Sequence, residues 1–382
     1  MNPAQSNVPL VAIACGGTGG HLFPGLAVAL QLRSAGCDVA LLISPKDVDQ
    51  QAVKSVSGMA VHTLPAVGLQ NRNYFSFARS FIKSLFAARK VFRQRRPVAV
   101  LAMGGFTSAP PVWVAKELGI KTFLHESNAV PGRANRLLAR FVNEAFLGFP
   151  EAAARLNARK NTVTGTPVRP EFQVRPAAEC RRALGLDPDL PTVLVVGGSQ
   201  GASGLNKLVL AALPGLSARR WQWIHLTGAN DFELVKAAYA PAGLRAVVRP
   251  FLAEMDLALG AATAAISRAG ASSLAEMAAV RLPTLLVPLP TAADNHQFFN
   301  ARLLADSGAA RLLDQQTGTP AEVAQALASL MEDEAVRSRL QTALARWHAP
   351  QSAAEIAASI LRQSTQSLPR AVGAAAAKVL TT

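Results

Sequence analysis

The residue types best suited to chemistry lie within 264–301, AAISRAGASSLAEMAAVRLPTLLVPLPTAADNHQFFNA. An apolar run ends at Ile266, Ser267-Arg268-Ala269-Gly270 makes a turn, and Ala271, Ser272, Ser273, Leu274, Ala275 and Glu276 open a stretch of helix formers. A helix start offers backbone N–H groups to an anion. Glu276, one turn in, would repel a phosphate but accepts hydrogen bonds from neutral hydroxyls; as a bare helix residue it would be an ordinary solvated glutamate. Phosphate at the turn with a diol beside it describes a nucleotide. A second apolar run, 284–287, leads through Pro288-Leu289-Pro290 to Asp294, Asn295, His296 and Gln297, the donors and acceptors that a hydroxyl-rich ligand needs.

A second group of such residues lies near the start of the chain. The apolar run 8–14 leads into Gly16-Gly17-Thr18-Gly19-Gly20-His21 and then a helix through Leu26, Val28, Leu30 and Leu32 that ends near Gly36. Residues 192–196 lead in the same way into Gly197-Gly198-Ser199-Gln200-Gly201-Ala202 and a helix through Leu205, Leu208, Leu210 and Leu213. Gly-rich turns between strand and helix are weak signals alone. The first one lacks the Gly-Lys-Ser/Thr ending of a P-loop and the GxGxxG spacing, and the strand expected at 39–43 ends in Ser44-Pro45 rather than in an acid for a ribose. ATPase and NAD-dependent readings are therefore disfavoured.

Repeated strand, glycine turn and helix, followed both times by alternating strands and helices, predicts an α/β protein of two doubly wound Rossmann-like domains facing across a cleft. The 382 residues suit two domains of about 100–200 residues each. The boundary is expected where Pro167, Pro170, Pro176 and Pro188 cluster, giving domains at 1–168 and 169–362 and an alanine-rich, unstructured tail at 363–382. Cys15, Cys37 and Cys180 are too few and too scattered for a disulfide framework or a zinc site and fit a reducing compartment. The opening apolar run reads as a strand, too short for a signal peptide or a membrane span.

RAGASSLAE followed by ADNHQ, with GGTGGHLFPGLAVA at Gly16, GGFTSAPP at Gly104, HESNAVPGRANRLLAR at His125, TGTPVRPE around Arg169 and GGSQGASGLN at Gly197, resembles the MurG family of cell-wall glycosyltransferases. These belong to glycosyltransferase family 28, with the two-domain GT-B fold. The motifs span nearly the whole chain in the family's order. The resemblance implies an inverting transferase that moves N-acetylglucosamine from UDP-N-acetylglucosamine to the 4-hydroxyl of undecaprenyl-diphosphate-linked N-acetylmuramyl pentapeptide, the step from lipid I to lipid II in peptidoglycan synthesis. It also implies that UDP is held by the C-terminal domain, and the acceptor and membrane by the N-terminal one. The chain departs from the family at Phe106, where an aromatic hydroxyl often follows Gly-Gly, and at Asn295, where an acid is frequent.

Sugar transfer from a nucleotide diphosphate expels a diphosphate that gains negative charge, and something must stabilise it. No metal and no cofactor is expected. The pairs Asp47/Asp49 and Asp187/Asp189 have DxD spacing, but the first reads as a loop and the second as linker, both far from the donor motif. Helix N-termini and Ser199 take the role instead, although a serine there is equally a helix cap. By resemblance Thr18, Gly19 and Gly20 belong to the substrate-binding set, Glu276 holds the ribose, Asn128 and Gln297 contact the sugar, Arg169 lines the donor site and Leu252 meets the uracil through its backbone. The acceptor hydroxyl needs a base. His21 is the first candidate, since an imidazole accepts a proton at neutral pH, and it could instead bind a phosphate or cap the helix. Glu126 is the competitor.

Charge completes the sequence reading. Residues 1–170 carry 20 Lys/Arg against 7 Asp/Glu, +13 of the total +15, and none of the residues between Asp49 and Glu117 is acidic. Within that span Phe77, Phe81, Leu85, Ala88 and Phe92 recur at helical spacing, widened by Ile82 and Phe86, beside Arg79, Lys83 and Lys90. Part of this pattern is a helix covering its sheet. Its aromatic, purely cationic character also suits an anionic membrane surface, where each basic residue is worth about 1 kcal/mol, and hence a peripheral location on the cytoplasmic face of the cell membrane. Two rivals remain. A UDP-N-acetylglucosamine 2-epimerase would call for more carboxylates in the cleft. A nucleic-acid-binding protein, suggested by a pI near 10.7, would show its aromatics as a stacking platform rather than as a helical stripe, so no nucleic-acid partner is expected.

Overall fold

The computed structural model describes residues 8–53, 58–66, 74–198 and 201–365. They form two compact units, one made of the chain up to Arg169 together with the chain from Pro350, the other of Pro170–Ala349.

The first unit holds strands β1 (Leu10–Ala14), β2 (Asp38–Ile43), β3 (Ala60–Thr63), β4 (Ala99–Ala102), β5 (Lys121–Glu126), β6 (Glu144–Leu147) and β7 (Asn161–Val163). All pair in parallel, in the order β3-β2-β1-β4-β5-β6-β7. Its helices are α1 (Gly19–Ser34), α2 (Asp47–Ala52), α3 (Tyr74–Gln94), α4 (Ala109–Glu117) and α5 (Arg133–Leu138). The second unit orders its strands β10-β9-β8-β11-β12-β13, again all parallel, from β8 (Thr192–Val196), β9 (Gln222–Leu226), β10 (Arg245–Arg249), β11 (Ala264–Ser267), β12 (Thr284–Leu286) and β13 (Arg311–Leu312). Its helices are α6 (Ala177–Ala183), α7 (Ser203–Ala212), α8 (Phe232–Tyr239), α9 (Met255–Ala261), α10 (Ala271–Val280), α11 (His296–Asp306), α12 (Pro320–Glu332) and α13 (Glu334–Leu344). A last helix, α14 (Ser352–Thr365), belongs to the first unit.

Both sheets are doubly wound, as the repeated openings predict. The central strands β1, β4, β8 and β11 are buried throughout and read as continuous apolar runs, because helices cover both faces of a parallel sheet. In each sheet the order reverses beside the first strand, between β1 and β4 and between β8 and β11. Ligands of open α/β sheets sit at the carboxyl ends of strands at such a reversal.

The C-terminal boundary differs from expectation. The compact second unit ends at Ala349 rather than at 362, and a helix runs to Thr365, into the span expected as an unstructured tail; the rest of that tail, 366–382, lies outside the described residues. Helix α14 packs on α1, with Ala353, Ile356, Ala357, Ile360 and Leu361 in one apolar cluster with Leu22, Leu26 and Ala29. Ile356 and Ile360 are fully buried, each worth about 1.5–3 kcal/mol. Polar anchors add register. Ser352 donates to the Gly165 carbonyl (3.0 Å) and Ser359 to Glu144 Oε2 (2.7 Å), whose other oxygen takes Thr162 Oγ1 (2.6 Å) and Lys160 Nζ (2.8 Å). Burial pushes the Glu144 carboxyl up, but the bonds from Lys160, Thr162 and Ser359 outweigh it and hold it below the usual carboxylate range.

The basic helix α3 divides its apolar residues. Ala88 and Phe92 are buried and Phe77, Phe81 and Leu85 half-buried, while Phe75, Ile82 and Phe86 stand 82%, 52% and 64% exposed beside Arg79, Lys83, Lys90 and Arg93. Among the described residues no helix is long and apolar enough to cross a membrane.

Candidate active site

In the first unit the reversal between β1 and β4 brings two glycine turns together. Gly16-Gly17-Thr18 follows β1, and Gly104-Gly105 follows β4, with Met103 donating its N–H to the Ala14 carbonyl (2.8 Å). Thr107 Oγ1 donates to the Gly16 carbonyl (2.6 Å) and Ser108 Oγ to those of Gly104 (2.7 Å) and Ala14 (3.2 Å). His21 lies in the first turn of α1 with its ring against the second glycine turn. A Cβ on Gly104 (φ +109) would stand 2.9 Å from His21 Cε1, and one on Gly105 (φ +75) 3.2 Å from His21 Cδ2. Both the positive φ and the imidazole therefore demand glycine at these positions.

Strand β5 ends beside this turn in His125-Glu126. Glu126, 2% exposed, is an acceptor on both oxygens. Oε1 takes Asn128 N (2.8 Å) and Nδ2 (3.0 Å), and Oε2 takes Gly132 N (2.9 Å) and Asn135 Nδ2 (2.8 Å). His125 is buried, with Nε2 donating to the Gly165 carbonyl (3.1 Å) and Nδ1 accepting from Ser127 Oγ (3.2 Å). Burial pushes its pKa down to about 4; the Gly165 bond opposes this and the nearby charge of His21 adds to it.

In the second unit β8 and β11 pair from Val193↔Ala264 to Val196↔Ser267, so the glycine turn after β8 and the Arg268-Ala269-Gly270 turn start side by side. Arg268 N donates to the Val196 carbonyl (3.2 Å) and joins them. Helix α10 starts from Gly270 in extended geometry with no side-chain cap, so its first amides point at the turn, and Glu276 lies half-buried one turn in. Gln297, in the first turn of α11, accepts through Oε1 from Leu289 N (3.0 Å) and Ala269 N (3.3 Å). It thereby ties the loop after β12 to the turn after β11. Asp294 and Asn295 both take left-handed φ (+50° and +54°) in that loop, a geometry that Asp and Asn tolerate best after glycine.

Comparison with known proteins agrees with this fold. The glycosyltransferase family 28 N-terminal domain matches residues 11–147, and the family 28 C-terminal domain matches 192–358. A protein of Acidithiobacillus ferrooxidans named UDP-N-acetylglucosamine--N-acetylmuramyl-(pentapeptide) pyrophosphoryl-undecaprenol N-acetylglucosamine transferase is 40% identical over 355 residues, 92% of this chain and 97% of its own length. The chain belongs to glycosyltransferase family 28. A protein of the same name from Stutzerimonas stutzeri is 38% identical over 91% of this chain and 97% of its own. The crystal structure of Acinetobacter baumannii MurG aligns with TM-score 0.71 and 30% identity, covering 93% of this chain and 99% of that one. A putative UDP-N-acetylglucosamine 2-epimerase from Listeria monocytogenes aligns with TM-score 0.70 over 93% of this chain and 96% of its own at 14% identity, a likeness of fold alone.

For a family 28 glycosyltransferase of GT-B fold, the site residues read from the sequence fall into two groups. His21, Thr18, Gly19, Gly20, Glu126 and Asn128 gather at the β1/β4 end of the first unit, where Arg169 also stacks its guanidinium 4.5 Å above the Phe23 ring of α1. Ala271, Ser272, Ser273, Leu274, Ala275, Glu276 and Gln297 gather around the mouth of α10, and Leu252 lies half-buried in the loop after β10. Ser199 lies outside the described residues.

Four residues with positioning roles escaped the sequence reading. Asp49, read as part of a loop, is in helix α2, and its fully buried carboxylate reaches back to the first glycine turn. Its Oδ2 accepts from Gly17 N (2.7 Å), Ser44 N (3.1 Å) and Ser44 Oγ (2.5 Å), so the aspartate that resembled half of a DxD pair organises backbone. Lys46 completes the turn by donating to the Gly17 carbonyl (2.9 Å), with Phe106 beneath it and against Gly17. That packing is what an aromatic ring at 106 supplies without a hydroxyl. Asn135 bridges Glu126 to the His125 carbonyl. Arg268, 5% exposed, holds the Val287 (2.9 Å) and Pro288 (3.1 Å) carbonyls and Gln315 Oε1 (2.5 Å), and burial lowers its pKa to about 10. A buried arginine in a motif is legible as a strap for carbonyls only once its strand neighbours are known.

Proposed function

We propose that the chain transfers N-acetylglucosamine from UDP-N-acetylglucosamine, with inversion at the anomeric carbon, to the 4-hydroxyl of undecaprenyl-diphosphate-linked N-acetylmuramyl pentapeptide. The observation that carries this reading is the mouth of α10. An uncapped helix start at the β8/β11 reversal suits the diphosphate, and Glu276 one turn deeper suits the ribose diol. The names of relatives at about 40% identity supply the sugar and the acceptor.

In this reading the amides of Ala271, Ser272 and Ser273, with Ser199, take up the charge that develops on the departing diphosphate. Gln297 is anchored through its amide oxygen, which leaves the amide N–H₂ turned to donation toward sugar hydroxyls. His21 accepts the proton of the attacking hydroxyl. Glu126, already accepting four hydrogen bonds, acts by holding the 126–135 loop and with it Asn128, rather than as the base. The exposed aromatics and cations of α3 give the first unit a reversible attachment to an anionic leaflet, bringing it to a lipid-linked acceptor at the cytoplasmic face.

The test is product analysis. The chain is incubated with UDP-N-acetylglucosamine and a short-chain analogue of the lipid acceptor, and a product carrying one added N-acetylhexosamine is expected by mass spectrometry. Release of UDP with unaltered acceptor, or conversion of the donor to its 2-epimer, would overturn the reading.

A further inference from the structure

The second unit buries a line of polar side chains that none of the roles above uses. His225 of β9 is fully buried between Tyr239 of α8 and Asn206 of α7, with Nδ1 2.9 Å from the Tyr239 hydroxyl and Nε2 3.0 Å from Asn206 Oδ1. Asn206, itself buried, donates from Nδ2 to the Thr227 carbonyl (3.0 Å) and to Asp231 Oδ2 (2.7 Å). With both amide hydrogens engaged, Oδ1 is the acceptor, so His225 carries its proton on Nε2 and accepts at Nδ1 from Tyr239. The hydrogen bonds run one way, from Tyr239 through His225 and Asn206 to Thr227 and Asp231. Burial keeps the imidazole neutral, its pKa pushed down to about 3.

The far end of this line is a corner on which two donor-site elements are built. A Cβ on Gly201 (φ +76), in the turn after β8, would stand 2.9 Å from the Thr227 carbonyl oxygen and 3.1 Å from Gly228 Cα. Thr227 N and Gly228 N donate to the carbonyls of Arg249 (3.0 Å) and Pro250 (3.1 Å), which lead into Leu252. One corner thus underlies the turn assigned to the diphosphate and the loop assigned to the uracil.

We propose that His225 is a positioning residue for the nucleotide: by donating to Asn206 it fixes the orientation of that amide, and so the Thr227–Gly228 corner under both donor-binding elements. This rests on the reading of the second unit as the UDP site. Without the His225 donor, the buried Asn206 Oδ1 loses its partner, and the amide is held only from its Nδ2 side, by the Thr227 carbonyl and the Asp231 carboxylate, so its pull on the corner is no longer balanced.

The experiment is UDP titration by calorimetry on the full chain, with melting temperature and steady-state kinetics for both substrates. His225→Leu is expected to raise the UDP Kd and donor KM about tenfold, with the acceptor KM and saturated kcat within about twofold. His225→Gln, whose amide can still donate to Asn206, stays within about threefold of the parent. Tyr239→Phe removes only the near end of the line, so its melting temperature falls while its UDP Kd stays within about twofold. Should the leucine variant fail to fold, Asn206→Ser, which breaks the same link from its other side, is expected to weaken UDP by the same factor. A folded His225→Leu or Asn206→Ser with parental UDP affinity overturns the inference, as does loss of affinity in Tyr239→Phe matching its loss of stability. Parental protein that binds no UDP overturns the nucleotide reading and this inference with it.

Discussion

Glu126→Gln separates a catalytic carboxylate from a structural one. Each Glu126 oxygen takes two N–H donors at 2.8–3.0 Å. A glutamine can satisfy one pair with its carbonyl oxygen, but its amide N–H₂ must then face the other pair, donor against donor. Two bonds to a charged acceptor are lost, at about 1.5–3 kcal/mol each for such bonds. Relaxation of the loop recovers part of this, so the expected loss is about 3 kcal/mol, or roughly 6–12 °C in melting temperature at 2–4 °C per kcal/mol for a unit of this size. Differential scanning calorimetry on the full chain reads it, alongside turnover at saturating donor and acceptor. The reasoning predicts that stability falls and that activity measured well below the melt falls with the displaced 126–135 loop. If the variant melts with the parent and loses turnover by about 10²–10⁴, the loss characteristic of a removed general base, the structural assignment is refuted and Glu126 is the base.

The other predictions address the remaining parts of the account. His21→Ala should lower kcat by about 10²–10⁴ with the UDP Kd unchanged; full turnover with weakened donor binding would show that His21 binds rather than catalyses. Asp49→Asn should cost about 1–3 kcal/mol through the Gly17 and Ser44 bonds and lower turnover without altering UDP affinity, which calorimetry and a UDP titration check. His125 and His225 are both held neutral, with pKa values lowered to about 4 and about 3. Their contribution is present in full above the unfolded value near 6.5 and is lost as pH falls toward those folded values, each at about 1.4 kcal/mol per pH unit, so melting temperature should drop steeply below pH 6. Phe75→Ser with Phe86→Ser should leave the melt unchanged, since both rings are exposed, and reduce flotation with anionic vesicles at least about tenfold.

The architecture was legible because its signals repeat. Two apolar runs end in glycine turns before a helix, and parallel strands buried on both faces need no alternation, so two doubly wound sheets could be drawn from the chain alone, whereas the strand orders and their reversals come from the tertiary structure. The return of α14 to the first unit was not legible. Its apolar stripe fits any neighbour, and the clue lay in the partner: α1 has buried Gly25, Ala27, Val28 and Ala29 on top of its sheet-facing leucines, a helix with little surface left for water and so in need of a second cover. Asp49 was hidden by distance, since its carboxylate meets an amide 32 residues away. Glu126 had a local signal that could have been used. Asn128, Gly132 and Asn135 bring amide N–H donors close together within ten residues, and an acceptor-only side chain two residues before them is their natural partner. His225 reads in sequence, like Gln222, as a polar residue in an otherwise apolar strand, and only the tertiary placement of Asn206 and Tyr239 gives it a task.

The central claim is that the donor nucleotide is held by the second unit at the mouth of α10. A crystal structure of the chain soaked with UDP tests it directly. The account predicts the diphosphate against the amides of Ala271 to Ser273 and the ribose hydroxyls on Glu276. Nucleotide bound instead at Gly17 to His21, with the α10 mouth empty, would contradict it and reverse the roles assigned to the two units.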